Sequence, residues 1–240
     1  MSLQGKCRTR KERGSLATLA ASVTWASGHL ALSGLCFVHW HSVDHLSSFD
    51  RFSISYLLIK LVGTIQSLYS GLEAFRSETI RREWWGVSSD SNIVRWTQLL
   101  MMGDLVIFFD YAHWQTLRWL AFPGIQFSGL TLYVLAKLWQ MWTDSYLAAY
   151  FTDRDSSEQP AVMTQGPFRF IRHPRYAAVL LGKVGCALIF ASAFGWILAF
   201  AWTFVYTRKV MREEAHMHNL LGDQYREYSH KTARLIPGVY

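Results

Sequence analysis

The sequence QGPFRFIRHPRY at residues 165–176 is followed by about thirty mainly apolar residues, Ala177–Tyr206, and then by the polar sequence TRKVMREE at residues 207–214. Such a run is longer than the roughly 20 residues that one helix needs to cross a bilayer. The sequence SAFG at residues 192–195 offers a break near its middle. A helix from Tyr176 to Ala193 would be about 25 Å long, and a leg of similar length would return. We therefore predict a helical hairpin, with one strongly tilted span as the alternative.

Each predicted leg carries a stripe of small residues at helical spacing. The stripes are Ala178, Gly182 and Gly185 on the first leg, and Gly195, Ala199 and Thr203 on the second. Small side chains at such spacing let membrane helices approach closely. We therefore expect the two legs to pack tightly against each other.

The composition favours an all-α integral membrane protein. Hydrophobic residues make up 51% of the 240 residues, whereas charged residues make up 17%, below the usual quarter. Besides the hairpin, four apolar segments are predicted to span the membrane: Leu16–Val38, Phe52–Leu72, Ile93–Ala112 and Trp119–Phe151. The first is too long for the core of a signal peptide and lacks an obvious cleavage site. The total is about six transmembrane passes.

The basic residues are distributed as the positive-inside rule requires. With both termini in the cytosol, the predicted inner segments hold 18 of the 24 Lys and Arg residues, and the outer loops hold two, Arg51 and Arg118. The net charge of +7 could instead indicate a nucleic-acid partner, but no zinc-knuckle, helix-turn-helix or RNA-binding signature is present. We predict membrane lipid and no nucleic acid as partners. The sequence does not indicate an oligomeric state.

Neither the cysteines nor the histidines lead us to predict a metal site. The three cysteines are odd in number and scattered, so no disulfide framework is indicated. Cys7 lies in a basic segment, where acylation is an alternative to a free thiol. The sequence HWHSVDH at residues 39–45 offers possible metal ligands but falls in a predicted outer loop, away from the polar ends of the hairpin.

The first polar end of the hairpin has the features of an anion site. Gly166–Pro167 is a turn signal, and Pro174 suits the first turn of a helix. This arrangement leaves a helix N-terminus at the membrane surface, where backbone N–H groups, Arg172 and His173 could hold an anion. The alternative is a basic segment that binds anionic lipid headgroups.

The second polar end adds acids to that site. A hairpin returns residues 209–214 to the depth of His173, so Glu213 and Glu214 would face the anion-binding loop. A site that holds both an anion and a cation fits a zwitterion, such as the amino-acid end of S-adenosylmethionine. The alternative is a local helix pair between Lys209 and Glu213 at i, i+4.

Four sequence motifs in one order resemble the isoprenylcysteine carboxyl methyltransferases and the wider group of membrane methyltransferases. They are GPFRFIRHPRY at residues 166–176, REE at residues 212–214, LGDQYREY at residues 221–228 and RLIPG at residues 234–238. The resemblance covers about residues 122–238. It implies a methyltransferase core at residues 122–240, preceded by N-terminal helices at residues 1–121 that anchor the protein or contact the substrate.

The resemblance also implies S-adenosylmethionine as the cofactor, bound on the cytosolic side of a membrane such as the endoplasmic reticulum. The implied cofactor contacts are Gln165, Gly166, Pro167, Phe168, Arg172, His173, Tyr176, Glu213 and Glu214. Glu214 is the implied essential acid near the cofactor's amino group. Family members often have Arg at the position of Lys209, so either Lys209 or the adjacent Arg208 is the implied cation.

The predicted reaction is methyl ester formation on a lipophilic carboxylic acid, either a small terpenoid acid or a prenylated protein. A carboxylate is already ionised near neutral pH and needs no general base, and none is evident in the motifs. N-methylation of a phospholipid or other amine is the nearest alternative. A sterol-type NADPH reductase is disfavoured because those enzymes usually have HisProAsnTyr where this chain has HPRY at residues 173–176. A non-catalytic membrane scaffold is a further alternative.

Two acidic residues, Asp104 and Asp110, fall inside the predicted third span. Ionisable groups within a membrane span are costly and tend to be functional. Two alternatives are open: the aspartates pair with Arg95 or Lys137 inside the bundle, or they line a substrate chamber.

Overall fold

The computed structural model describes residues 28, 31–32, 52–66, 91–153 and 161–238. In these ranges the chain is built of helices, and its β-structure is one isolated bridge, so the all-α class is confirmed. The α-helices are α1 (52–66), α2 (Ser91–Phe109), α3 (Pro123–Asp153), α4 (Pro174–Ile189), α5 (Ala193–Leu221) and α6 (Asp223–Lys231). Short π- or 3₁₀-helical turns cover Asp110–Trp114, Arg118–Leu120 and Gly166–Arg169.

Over the described ranges, no helix combines the length and the apolar character needed to cross a membrane. The number of passes and the side on which the termini lie stay predictions. Almost all of the predicted first span, together with Cys7 and residues 39–45, lies outside the described residues.

The predicted helical hairpin is confirmed by α4 and α5. The first leg ends at Ile189, a few residues earlier than expected, and the second begins at Ala193. Ala191 adopts a left-handed conformation with φ of 44°. Ser192 then caps α5, since its hydroxyl accepts a hydrogen bond from Gly195 N at 3.3 Å. The cap determines where the second leg starts.

Asp110 fixes this turn from outside the hairpin. Its carboxylate is completely buried and accepts hydrogen bonds from the hydroxyls of Ser192 and Thr116, at 2.5 Å and 2.7 Å. The prediction that Asp110 pairs with a cation is therefore wrong for the described residues. The two hydroxyl groups bind Oδ2, and the Thr116 backbone N–H donates to Oδ1 at 3.2 Å, so Asp110 is a turn residue rather than part of a chamber.

The small residues of α4 pack mainly against α3. A Cβ atom on Gly185 would lie 2.9 Å from the Gly129 carbonyl oxygen, and Gly182 faces Ala136, whose Cβ is 3.7 Å away. The expectation that this stripe faces the other leg of the hairpin is wrong. Spacing defines a face of a helix but not the neighbour that covers the face.

The second stripe does contact the first leg near the turn. A Cβ atom on Gly195 would lie 2.8 Å from Ala187 Cα, so α4 and α5 are in close backbone contact there. The buried residues of α5 continue at helical spacing as Ala199, Trp202, Tyr206, Val210 and Glu214. One face of α5 therefore runs from the turn to the acidic cluster.

An aromatic core joins α1, α2, α3 and α4. Tyr56 contacts Phe108, Tyr133 and Phe190, with ring centroids 5.6 Å, 4.8 Å and 5.1 Å away. These side chains are all buried and come from both sides of the predicted boundary between residues 121 and 122. That boundary stays a prediction.

Candidate active site

The hairpin brings its two polar ends into contact, as the sequence predicts. His173 precedes α4, and Pro174 occupies the first turn, where its missing N–H group is tolerated. Arg172 Nε lies 2.8 Å from Glu214 Oε1 of α5, a contact across 42 residues of sequence. The site therefore lies between the N-terminus of α4 and the C-terminal part of α5.

Two arginines hold the Glu214 carboxylate, one on each oxygen. Arg172 Nε binds Oε1, and Arg234 Nε binds Oε2, each at 2.8 Å. Burial alone would raise the pKa of Glu214, but the nearby His173 ring and the two guanidinium groups outweigh it and lower the pKa to about 2. Glu214 is thus a buried, ionised anchor with both oxygens in use.

The residues after α6 return to the N-terminus of α4 as a short extended segment, Thr232–Leu235, called here the terminal segment. Ile171 and Ala233 form a parallel bridge. The backbone N–H groups of Arg172 and His173 donate to the carbonyls of Ala233 and Arg234, at 2.8 Å and 3.1 Å. The Arg172 side chain also donates to the Thr232 carbonyl. These bonds fix the direction of both side chains that precede α4.

Glu213 lies beside this anchor and has different partners. The Tyr176 hydroxyl donates to Oε1 at 2.6 Å, and Lys209 Nζ lies 3.9 Å from the same oxygen. His173 Nδ1 lies 3.6 Å from Oε2. Burial and the Glu213 carboxylate together raise the pKa of Tyr176, so its hydroxyl stays a proton donor. Because Oε2 makes no hydrogen bond as short as that of Oε1, it retains capacity to accept one from a ligand.

Aromatic rings form a stack that starts at this cluster and runs along α5. Tyr176 lies parallel to His173 and to Tyr206, with centroid distances of 5.7 Å and 4.7 Å. The Tyr206 ring in turn lies 5.0 Å from that of Trp202. Lys209 Nζ lies 5.1 Å from the centre of the Tyr176 ring. This row of rings offers cation-binding faces.

Of the two cations that the resemblance leaves open, the structure directs Lys209 to the acids. Arg208 is exposed, and its guanidinium lies 5.1 Å from the Phe204 ring, on another face of α5. Burial lowers the pKa of Lys209, and the Glu213 carboxylate opposes that shift. The i, i+4 spacing explains the choice, because it places Lys209 and Glu213 on the same face of the helix.

The loop at residues 165–168 packs against α3 through Tyr146. Gly166 has a φ of 58°, and a Cβ atom there would lie 2.6 Å from the Tyr146 ring. Phe168 lies near the same ring, and its carbonyl accepts a hydrogen bond from the Tyr228 hydroxyl at 2.7 Å. Only glycine suits this position. Cofactor contacts from Gln165, Gly166, Pro167 and Phe168 stay a prediction.

Sequence reasoning assigned no role to Arg234 or Tyr206. Arg234 is the first residue of the RLIPG motif. The order of the motifs therefore indicated this segment but gave the Arg234 side chain no role. Tyr206 lies one turn before Val210 and two turns before Glu213 and Glu214, so helical spacing could have placed it beside the acids.

Comparison with known proteins finds a family match for the segment that holds most of this site. Residues 125–224, which include α4 and most of the site, match the phospholipid methyltransferase family. This segment is similar to the membrane methyltransferases. The family predicted from the sequence motifs is therefore confirmed.

Two relatives are similar to part of the chain. The nickel-cobalt-cadmium resistance protein NccN of Alcaligenes xylosoxydans xylosoxydans is 29% identical over 110 residues, which is 45% of this chain and 46% of the relative. Protein-S-isoprenylcysteine O-methyltransferase A of Arabidopsis thaliana is 31% identical over 87 residues, which is 34% of this chain and 42% of the relative. The chain thus spans less than half the length of each of these two relatives.

Proposed function

We propose that the protein is an S-adenosylmethionine-dependent methyltransferase that forms a methyl ester on the carboxyl group of a lipophilic, isoprenoid-like acid. The proposal depends mainly on the environment of the Glu213 side chain. This half-buried carboxylate of α5 lies near the start of α4, between Tyr176, His173 and Lys209, and next to a row of aromatic rings. The methyltransferase family match and the isoprenylcysteine methyltransferase relative support it.

The residues at the site fit the two charged ends of an amino acid. Glu213 Oε2 can accept a hydrogen bond from an ammonium group, because the short bond from Tyr176 goes to the other oxygen. The N–H groups in the first turn of α4 lack partners within the helix and suit a carboxylate. The faces of Tyr176 and Tyr206 suit a sulfonium.

Glu213 is therefore our candidate for the acid that contacts the cofactor's amino group, in place of Glu214. Both oxygens of Glu214 are occupied by Arg172 and Arg234, and its side chain is only 6% exposed. We assign Glu214 a positioning role, since it sets the direction of Arg172. Lys209 helps to hold Glu213 and is the candidate cation.

When bound, S-adenosylmethionine supplies an activated methyl group on its sulfonium. An acceptor's carboxylate oxygen would form a bond to the methyl carbon as the carbon–sulfur bond broke and the neutral thioether left, and no proton would have to leave. The protein's task is alignment and exclusion of water. Tyr176 and Tyr206, both largely buried, provide the apolar wall for that step.

A membrane setting for this reaction is supported by the outer surface of the helices. Phe127 of α3 is 64% exposed and Phe200 of α5 is 75% exposed, and Trp119 between α2 and α3 is 67% exposed. Large apolar side chains exposed on the outside of helices are suited to contact with lipid. We propose that the active site faces the cytosol, as at the endoplasmic reticulum, and that the acceptor enters from the lipid.

N-methylation of a phospholipid amine is the second candidate, because the matching family is described as phospholipid methyltransferase. The two reactions give products with different stability. A methyl ester is hydrolysed by mild base and releases methanol, whereas an N-methyl group is retained.

The test uses the full chain in lipid nanodiscs with S-adenosylmethionine labelled in its methyl group. A C15 isoprenoid acid and phosphatidylethanolamine serve as separate acceptors, and base-labile label is measured for each. We expect label in the acid only, and at least tenfold less with Glu213→Gln than with Glu227→Gln, a control whose acid is exposed. Tight NADPH binding without binding of S-adenosylmethionine would overturn the proposal, and base-stable label in the phospholipid would replace it with N-methylation.

A further inference from the structure

A second ionic cluster lies inside the bundle, on the core side of the aromatic row. Lys60, Asp104, Lys137 and Lys183 come from four different helices, α1 to α4. Asp104 is 5% exposed, and Lys183 Nζ binds both of its oxygens, at 2.7 Å and 2.8 Å. Asp104 therefore pairs with Lys183, and the expectation that it pairs with Lys137 is wrong. The side chain of Arg95 lies outside the described residues.

Lys137 has a neutral partner instead. Its ammonium donates to the Gln140 amide oxygen at 3.1 Å and lies 5.6 Å from the centre of the Tyr133 ring. In the described part of the chain, no carboxylate lies within 4 Å of this ammonium. A partly buried ammonium with no carboxylate in contact is costly, and such groups tend to mark binding sites.

The cluster is compact and has apolar walls. Lys60 Nζ lies 5.6 Å from the centre of the Tyr56 ring, and that ring lies 4.8 Å from the Tyr133 ring beside Lys137. Lys60 Nζ lies 5.1 Å from the centre of the Phe108 ring. Lys137 and Lys183 thus bring two ammonium groups to a site where Asp104 is bound by Lys183. Positive charge beside aromatic walls suits the head of an amphipathic anion.

Trp202 supplies a hydrogen-bond donor at the same place. Lys183 Nζ lies 5.0 Å from the centre of its ring. The ring is 2% exposed, yet Nε1 has no hydrogen-bond acceptor among the described residues. A buried indole N–H group normally has a partner, so a ligand oxygen is a suitable acceptor.

The same tryptophan connects the cluster to the candidate active site. The aromatic row runs from Trp202 through Tyr206 to Tyr176, which binds Glu213. Along α4, Lys183 lies seven residues after Tyr176, which is about two turns or roughly 10 Å. A ligand between the two clusters would touch both of them.

We propose that Lys137, Lys183 and the Trp202 N–H group bind the carboxylate of the lipophilic acceptor and present it to the methyl donor. This inference rests on the proposed function and names its acceptor site. It also explains how the product leaves. Methylation removes the acceptor's negative charge. The ester therefore loses the electrostatic attraction to the lysines and binds more weakly than the acid.

The test measures ligand binding to the full chain in nanodiscs without S-adenosylmethionine, by intrinsic tryptophan fluorescence. The probes are a C15 isoprenoid acid, its methyl ester and the matching alcohol. We expect the acid to bind at least tenfold more tightly than the ester or the alcohol. Lys137→Gln should abolish this preference, whereas Lys231→Gln, an exposed control, should retain it.

A second variant keeps the test decisive if Lys137→Gln does not fold. Gln140→Glu retains the lysine but gives it an internal anion at the position of the amide oxygen, so the preference for the acid should fall as well. Equal binding of acid and ester by the unmodified protein, or a preference that survives in both variants, would overturn the inference. Loss of methyl transfer with the acid preference intact would instead count against the proposed function alone.

Discussion

Arg234 Nε lies 2.8 Å from Glu214 Oε2, while the other oxygen of the carboxylate is bound by Arg172. This arrangement predicts that Arg234→Ala strongly destabilises the protein, because the buried Glu214 carboxylate loses one of its two arginine partners. We expect a loss of about 2 kcal/mol in the free energy of unfolding, measured with denaturant in detergent. Arg226→Ala is the control, since its pair with Asp223 is exposed and contributes little. Equal losses in the two variants would contradict the buried role of Arg234.

The Glu214 carboxylate also predicts how stability depends on pH. Its pKa is about 2 in the folded protein, against an ordinary value of 4.5. A carboxyl group whose pKa is lower in the folded state stabilises that state at pH values above the pKa of the unfolded chain. For Glu214 this contribution disappears as the pH falls from about 4.5 towards 2.

We therefore expect the unmodified protein to lose thermal stability over this pH window. Glu214→Gln should be less stable at neutral pH and should show a flatter decline in Tm on acidification. Asp223→Asn serves as the control, because the Asp223 side chain is almost fully exposed. A decline in Glu214→Gln as steep as that of the unmodified protein would show that other groups dominate.

Adjacent lysine and arginine residues on α5 allow a matched test of the candidate cation. Lys209→Met and Arg208→Met each remove one positive charge, but only Lys209 lies 3.9 Å from Glu213 and over the Tyr176 ring. We expect kcat/KM for methyl transfer to fall at least tenfold in Lys209→Met, which corresponds to about 1.4 kcal/mol. Arg208→Met should change it less than twofold. A larger effect at Arg208 would reverse the assignment.

The close contact of α3 and α4 predicts that Gly185→Ala is destabilising. The added methyl group would lie 2.9 Å from backbone atoms of Gly129 and Tyr133, which cannot move aside as a flexible side chain could. We expect a loss of about 1–3 kcal/mol in the free energy of unfolding. Gly124→Ala, with open space around the added atom, should be neutral or stabilising.

The sequence was sufficient to predict the features that depend on spacing within one segment. The hairpin and the return of the two glutamates to the loop that holds Arg172 follow from run length, and the i, i+4 spacing accounts for the pair of Lys209 and Glu213. Partners contributed by other segments were harder to predict. Asp104 was singled out, but Lys183 was not, because a lone lysine in an apolar run gives no periodic signal of its own.

The same limit applies to the irregular parts of the chain. Arg234 reaches Glu214 from an extended segment, where neither helical spacing nor a charge pattern indicates direction. The Gly185 stripe was assigned to the wrong neighbour, since a small-residue face fits α5 and α3 equally well. In each case the missing information is the packing of distant segments.

The bridge between Ile171 and Ala233 has a consequence for biosynthesis. Translation delivers α4 and α5 first, and the backbone that holds Arg172 follows 60 residues later. A nascent chain with its hairpin already in place would still lack the bonds that direct Arg172 and His173. We expect a nascent chain to acquire the bonded arrangement of Arg172 and His173 only after residues 232–235 have emerged from the ribosome.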